Sequence, residues 1–390
     1  MTHHQRVVNA LEHREPDRVP IDLGGTRVTT MVVAAYEALK HHLGVRAETR
    51  FMDEASGRVQ PADEILELLG VDTRMLRLEP AVGQGERVDL PADREDRWGV
   101  VWRFIADGRY YVKKPPLEGR STLSDLATFR WPDPDDLDLV GLRARAAAMR
   151  SEDDRAIVLE LPGRVFSLGQ RLCGFKEWLT NLVANPRFCS VLLDRAVAIE
   201  VQMIESILEA VGNHIDVVLC ADDLGMQSGP LISPDLYRQM IKPRQRRLFE
   251  AIKRNTNAKL MLHSDGGIAP LIGDFVDLGV DVLNPVQVSA AGMQDTRELK
   301  KRFGKLISFW GGVDTHRVLP FGTPQDVKHE VKRIINDLAP GGGYVLASVH
   351  NIQAEVPPAN VCAMVEAARS FGQSGTELST PGDSLDTVPR

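Results

Sequence analysis

The run Leu260-Met261-Leu262-His263-Ser264-Asp265-Gly266-Gly267 carries an apolar strand pattern into a histidine and a carboxylate two residues apart. In extended backbone, side chains at i and i+2 leave the same face. His263 and Asp265 are therefore expected to converge on one metal ion or one substrate. The plainer alternative is a strand-end histidine satisfied by a backbone carbonyl, with Asp265 opening a turn before Gly266-Gly267.

Other apolar runs end in the same way. The polar groups at or just after them are Glu160, Asp222 with Asp223, Asn284 with Gln287, Asp314, and His350 with Asn351. One carboxylate after a strand is commonly a helix cap. Several titratable and metal-capable groups delivered by separate strands to one rim describe an active site.

The elements that must position these groups are short apolar runs near 19–23, 73–78, 156–161, 217–221, 259–263, 282–284, 306–310 and 344–348. Helical patterns over 234–254, 268–278 and 324–338 separate the later ones. Pro234 and Pro324 suit first helical positions, with Ser233 and Thr323 as N-caps and Asp235 complementing the helix dipole. The chain lacks both G-x-G-x-x-G after its first strand and G-x-x-x-x-G-K-[ST], the fingerprints of an open nucleotide-binding sheet. The expected fold class is α/β, a (β/α)8 TIM barrel over 1–370, whose functional groups sit at the C-terminal ends of the strands.

Two stretches break the alternation. Residues 86–116 read as an inserted β-hairpin, Trp98 to Phe104 and Tyr110-Tyr111-Val112 flanking the turn Ala106-Asp107-Gly108. Its aromatic surface suits a subunit contact, as in a homodimer, or an active-site cover. Residues 115–134 form a proline- and aspartate-rich excursion that reads as too polar for core. Residues 371–390, rich in Ser, Thr, Gly, Pro and Asp without periodicity, are expected to be a disordered tail.

Composition bounds the partners. Across 390 residues the hydrophobic share is 43%, the charged share 26% and the formal charge −7, which leaves no basic surplus for nucleic acid. No apolar run reaches membrane-spanning length and the N-terminus has no signal-type core, so a cytoplasmic location is expected. Cys173, Cys189, Cys220 and Cys362 lie far apart without C-x-x-C spacing, which argues for core thiols over disulfides or a cysteine zinc cluster.

Several segments in order resemble the uroporphyrinogen decarboxylase superfamily. They are Arg6-Val7-Val8-Asn9-Ala10-Leu11, Pro16-Asp17-Arg18-Val19-Pro20, Asp222-Asp223-Leu224-Gly225-Met226-Gln227, and Pro230 to Tyr237 with Lys242-Pro243. His263-Ser264-Asp265-Gly266-Gly267-Ile268, Asp281 to Gln287 and Gly311-Gly312-Val313-Asp314 continue the pattern, so that the likeness runs from about residue 5 to residue 370. True decarboxylases of this kind carry an arginine-rich segment soon after the first strand to grip a polycarboxylate. Here that region reads Ile21-Asp22-Leu23-Gly24-Gly25-Thr26-Arg27, and one arginine is a poor match to many carboxylates.

The resemblance points instead to the superfamily's zinc-dependent methyltransferases, which pass methyl groups between a corrinoid and a thiol. Their metal motif is His-x-Cys with a distant Cys after the last strand. In this chain those positions read His263-Ser264-Asp265 and His350. Two imidazoles and one carboxylate leave a divalent ion, zinc foremost, more positive than two thiolates do, hence a stronger Lewis acid with a preference for oxygen ligands. The resemblance implies His263, Asp265 and His350 as metal ligands, with Glu160, Asp222 and Asp223 as catalytic acid, base or orienting groups. Arg27, Gln227, Asn284, Gln287 and Asp314 are the implied substrate-binding groups. The expected activity is methyl transfer or demethylation of a small oxygen-bearing compound, with a corrinoid protein as partner. The alternatives are a metal-free decarboxylase of a small acid, in which Asp222 or Asp223 stabilises developing positive charge, and a non-enzymatic subunit that docks a corrinoid partner. A His-x-Asp…His set also resembles the iron facial triad, which usually sits on all-β barrels.

Overall fold

The computed structural model describes residues 1–53, 57–79, 82–83, 93–105 and 110–372. The expected tail from 373 onward, the turn Ala106-Asp107-Gly108 and residues 86–92 of the expected hairpin lie outside these.

Seven parallel strands form one curled sheet in chain order: β1 (Thr73–Leu76), β2 (Ala156–Glu160), β3 (Val217–Ala221), β4 (Lys259–His263), β5 (Val282–Asn284), β6 (Ser308–Val313) and β7 (Tyr344–Ser348). Seven of the eight expected runs are therefore strands, the seventh shifted toward its glycines. The first run, 19–23, differs. It makes a single parallel bridge, Ile21 to Leu346. Yet it closes the ring, because Asp22 N–H donates to the Leu346 carbonyl (2.9 Å), Leu346 N–H to the Pro20 carbonyl (2.9 Å), and Asp72 N–H to the Ile21 carbonyl (2.8 Å). Pro20 has no N–H to continue a ladder, and Ile21 N–H is taken by the Asp72 side chain at 2.8 Å.

Strand alternation sorts the apolar residues into two cores. Val158, Leu219, Met261, Val282, Trp310 and Val345 fill the barrel interior, joined by Val7 and Leu11 of the helix His3–Leu11, which plugs its base. Ile157, Val218, Leu260, Leu262, Leu283 and Phe309 face outward under the helices. The inward row, extended to the C-terminal strand ends, is the row that carries Glu160, His263 and Asn284.

Local signals in the sequence explain the helix boundaries. Ser233 accepts from Leu236 N–H, and Thr323 forms a capping box with Asp326 for the helix Pro324–Leu338. The expected helix over 234–254 is interrupted by a π turn at Tyr237–Ile241 before Lys242–Asn255. Pro243, which cannot donate an i→i−4 bond, accounts for the break. Pro270 likewise confines the start of 268–278 to a 3-10 turn, Ala269–Leu271, before Ile272–Asp277.

The insertion pairs Val101–Phe104 with Tyr110–Lys114, and a further strand, Asp93–Glu95, adds to its edge. Trp98-Gly99 is a turn and not part of the strand: the Asp96 carboxylate accepts from Trp98 N–H, Val100 N–H and Trp102 Nε1. The excursion over 115–134 is also less polar in context than its composition suggests, since Leu117, Leu126 and Phe129 are buried and Leu123–Thr128 is helical.

Asp72, fully buried at the ring closure, accepts from Arg6, from both Nη atoms of Arg18, from the His3 ring and from Ile21 N–H. Asp72→Ala strands the Arg18 guanidinium beside the seam and leaves Arg6 with Asp17 alone, and should cost about 3–5 kcal/mol of stability. Asp17→Ala, which removes a 42%-exposed carboxylate from Arg6, should cost about 1 kcal/mol or less. Urea unfolding of the two variants measures the contrast.

Candidate metal centre and active site

His263 ends β4 on the inward row and is almost fully buried. Its Nδ1 meets Asn284 Oδ1 at 2.6 Å, while Asn284 Nδ2 donates to the Trp310 carbonyl at 3.0 Å. A carbonyl can only accept, so the Asn284 amide is oriented with its oxygen toward the ring. Nδ1 of His263 must then carry the hydrogen. Its Nε2 is aimed at two carboxylates, Asp265 at 3.6 Å and Asp223 at 3.7 Å.

The turn that returns Asp265 to His263 depends on glycine. Gly266 has φ +93°, and a Cβ there would lie 2.4 Å from the backbone of Gly225. Between the two functional residues, Ser264 points the other way and its hydroxyl accepts Leu224 N–H at 2.9 Å. Gly266 N–H is held by Gln287 Oε1 at 2.7 Å.

His350 follows β7, its ring 6.1 Å from that of His263. Ligand atoms of His263, Asp265 and His350 all lie within 4.8 Å of one another. Two nitrogens and a carboxylate oxygen are donors suited to a divalent ion, so the residues present fit a metal. The two rings are treated oppositely. Burial disfavours charge on His263, but Asp265 and Asp223 outweigh it and lift the ring to about 9. Burial, only partly opposed by Asp265, pushes His350 down to about 4 and leaves it a neutral donor at pH 7.

A cavity of about 570 Å³ opens onto this cluster, lined by Gln227, Asp265, Gln287, His316, His350 and Asn351 among others. Asn351 is 2% exposed, and neither its Oδ1 nor its Nδ2 has a hydrogen-bond partner among the described residues. Asp314 instead accepts His316 N–H at 2.7 Å and shapes the loop that carries His316 to the opening.

Two expected catalytic groups are held elsewhere. Asp222 is fully buried and accepts from Val165, Phe166 and Ser167 N–H and from Gln245 Nε2, so it tethers the start of the helix Phe166–Cys173. Glu160, at the end of β2, is gripped by Arg27 through Nε (2.9 Å) and Nη2 (3.0 Å) and by Arg164 at 2.9 Å. Burial alone would raise its carboxyl, but the two arginines outweigh that and hold it at about 2. It is a fixed anion at neutral pH, unsuited to proton exchange, and Arg27 is engaged with it. Asp223 remains half exposed beside His263.

Residues 108–371 match the family model described as uroporphyrinogen decarboxylase (URO-D). The chain belongs to the uroporphyrinogen decarboxylase family. It is similar to proteins named uroporphyrinogen decarboxylase from Geobacter metallireducens, 21% identical over 94% of this chain and 99% of the relative. A namesake from Alkalilimnicola ehrlichii is 22% identical over 97% of each. A solved structure described as a methyltransferase from Methanosarcina mazei shares the fold, with a TM-score of 0.66 and 22% identity over 95% of this chain and 99% of that one.

Within this family member, sequence reasoning missed the arginines that join Arg27. Arg164 lies in the loop after Glu160 and Arg171 in the helix Phe166–Cys173 that follows, so their nearness in the chain to a strand-end carboxylate was the one available signal. Arg58 and Tyr110, 3.4 Å apart, have no such local signal; the fold alone brings them to the mouth.

Because the Glu160 carboxyl is depressed from 4.5 to about 2, the stability it supplies is complete above the ordinary carboxyl range and is lost as pH falls toward 2. Glu160→Gln should lower stability at pH 7 by about 2–3 kcal/mol and flatten the acid limb. Urea unfolding from pH 7 downward tests both effects.

Proposed function

We propose that this enzyme is a metal-dependent methyltransferase or demethylase acting on a small methylated, oxygen-bearing compound, with a corrinoid protein as methyl acceptor. The observation that carries the reading is the meeting of His263, Asp265 and His350 ligand atoms within 4.8 Å. Donors about 2.0–2.2 Å from one ion stand roughly 3–4 Å apart, so modest side-chain rotation closes the set. A divalent ion, zinc foremost, supplies Lewis acidity toward an ether or carboxylate oxygen when bound.

The chain's own residues divide the remaining work. Asn284 accepts the Nδ1 hydrogen of His263, so that Nε2 is the nitrogen that faces the cluster and would bind the ion on giving up its proton, a support that metal-binding histidines characteristically have. Gln287 holds the backbone after Asp265 in place. The unpartnered amide of Asn351 and the side chain of Gln227 hydrogen-bond substrate oxygens in the opening. Asp223, exposed beside His263, takes or gives the proton that Glu160 and Asp222 are not free to exchange.

A metal-free decarboxylase of a small acid is the second reading. The activity named for the relatives from G. metallireducens and A. ehrlichii favours it. Asp223 would then be the aspartate that stabilises positive charge on the substrate, since Asp222 is spent on backbone amides.

Metal analysis and zinc titration of protein stripped with chelator separate the two. One zinc per chain is expected, with uptake abolished in His263→Ala, Asp265→Ala and His350→Ala, and weakened about 10- to 100-fold in Asn284→Ala. Absence of zinc, iron or manganese uptake by the wild type, together with CO₂ release from an acid that survives His350→Ala, would establish the second reading instead.

A further inference from the structure

A second cavity, of about 440 Å³, lies between the end of β2 and the inserted hairpin. Among the described residues its lining carries five arginines against Glu79, Asp96 and Glu160, while burial holds Glu200 up at about 8 and so uncharged at neutral pH. In a chain whose formal charge is −7, this is a locally positive hollow. The rest of the wall is apolar: Met52, Met75, Leu168 and Met203 line it together with Trp98, and all five are buried.

The arginines are not equivalent. Both oxygens of Glu160 are consumed by Arg27 and Arg164. Arg171, in the helix Phe166–Cys173, has no ion pair among the described residues; its guanidinium stands 5.1 Å over the Trp102 ring of the hairpin. Desolvation and the charges of Arg164 and Arg27 push it down to about 10. A partly buried cation beside two others is costly, and its cost is offset when an incoming anion becomes the missing partner. Glu160, in the wall of this hollow, ends β2 on the same inward row on which His263 ends β4, so the hollow opens at the same end of the barrel as the candidate metal centre.

We propose that this cavity selects the substrate, a small acid with a flat apolar body such as an aromatic carboxylate, and that Arg171 receives its carboxylate while the methionine and tryptophan wall takes its body. The inference rests on the functional reading above, whose substrate class it names. A cavity of this size with apolar walls and few converging polar groups is built for a small molecule. The polar anchor makes charge the discriminating feature.

Benzoate, its neutral isostere benzamide and inorganic phosphate serve as probes, followed by intrinsic tryptophan fluorescence, since Trp98 lines the cavity and the Trp102 ring lies against Arg171. Benzoate is expected to give a saturable change, with benzamide and phosphate at least tenfold weaker. Arg171→Gln should weaken benzoate at least tenfold with no loss of thermal midpoint, because it removes a charge that neighbouring arginines repel. Should the glutamine variant fail to fold, Arg171→Lys, which keeps the charge and loses the fork, is expected to bind benzoate more weakly than the wild type and more tightly than it binds benzamide. No saturable response to benzoate, equal binding of benzoate with benzamide or phosphate, or unchanged affinity in either variant would overturn the proposal. Zinc uptake measured on the same preparations should be unchanged by Arg171→Gln, so a failed metal centre and a failed acid site give different results.

Discussion

Closure of the parallel ring by three backbone hydrogen bonds at Pro20, Ile21 and Asp22 is the constraint on which the rest depends. β1 and β7 do not pair with each other, and a parallel sheet left open there would expose two edges. The segment that fills the gap is too short to be a strand, and its hold is reinforced by the buried Asp72 carboxylate with Arg6, Arg18 and His3 around it. Once the ring is closed, strand period fixes which residues look inward. Glu160, His263 and Asn284 then stand on one row at one end, whatever the loops do.

Closure also reaches the chemistry directly. Asp22, next to the bridging residue, accepts from Trp310 Nε1 at 2.7 Å and from Thr73 Oγ1 at 2.6 Å. The Trp310 carbonyl orients Asn284, and Asn284 orients His263. A buried carboxylate at the seam is thus connected through one tryptophan and one amide to the His263 ring at the candidate metal centre. Each link is fully buried, so each unsatisfied alternative would be expensive; the chain of bonds holds because breaking any one strands its neighbour.

The inward row was legible from sequence because period-two alternation and strand-end polar residues are local signals. The pairing of His263 with Asp265 followed from their spacing, and the glycines after them marked the turn. The ring-closing segment was legible as an apolar run but not as a single bridge, since Pro20 and the Asp72 side chain override its β pattern. The different fates of the strand-end carboxylates were not legible at all. Asp222, Asp223 and Glu160 look alike in the sequence, and only their partners distinguish a tether for amides, a half-exposed carboxylate and an anion locked between arginines. Those partners come from loops and helices with no fixed separation from the strands they serve.

The same partners impose a separation of charge on the mouth. Carboxylates Asp223 and Asp265 lie beside the His263 ring, whereas the guanidiniums of Arg27 and Arg164 hold Glu160 and that of Arg171 lines the same hollow. Neutral His350 and ionised Glu160 are both products of this arrangement: the first has lost its charge to burial near other cations, and the second keeps its charge because two guanidiniums outweigh burial. Arg27 comes from the loop after the ring-closing segment and Arg164 and Arg171 from the segment after β2, and one of the three is already neutralised in effect by Glu160. The charge left over is small, and the methionines beside it make the rest of that wall apolar.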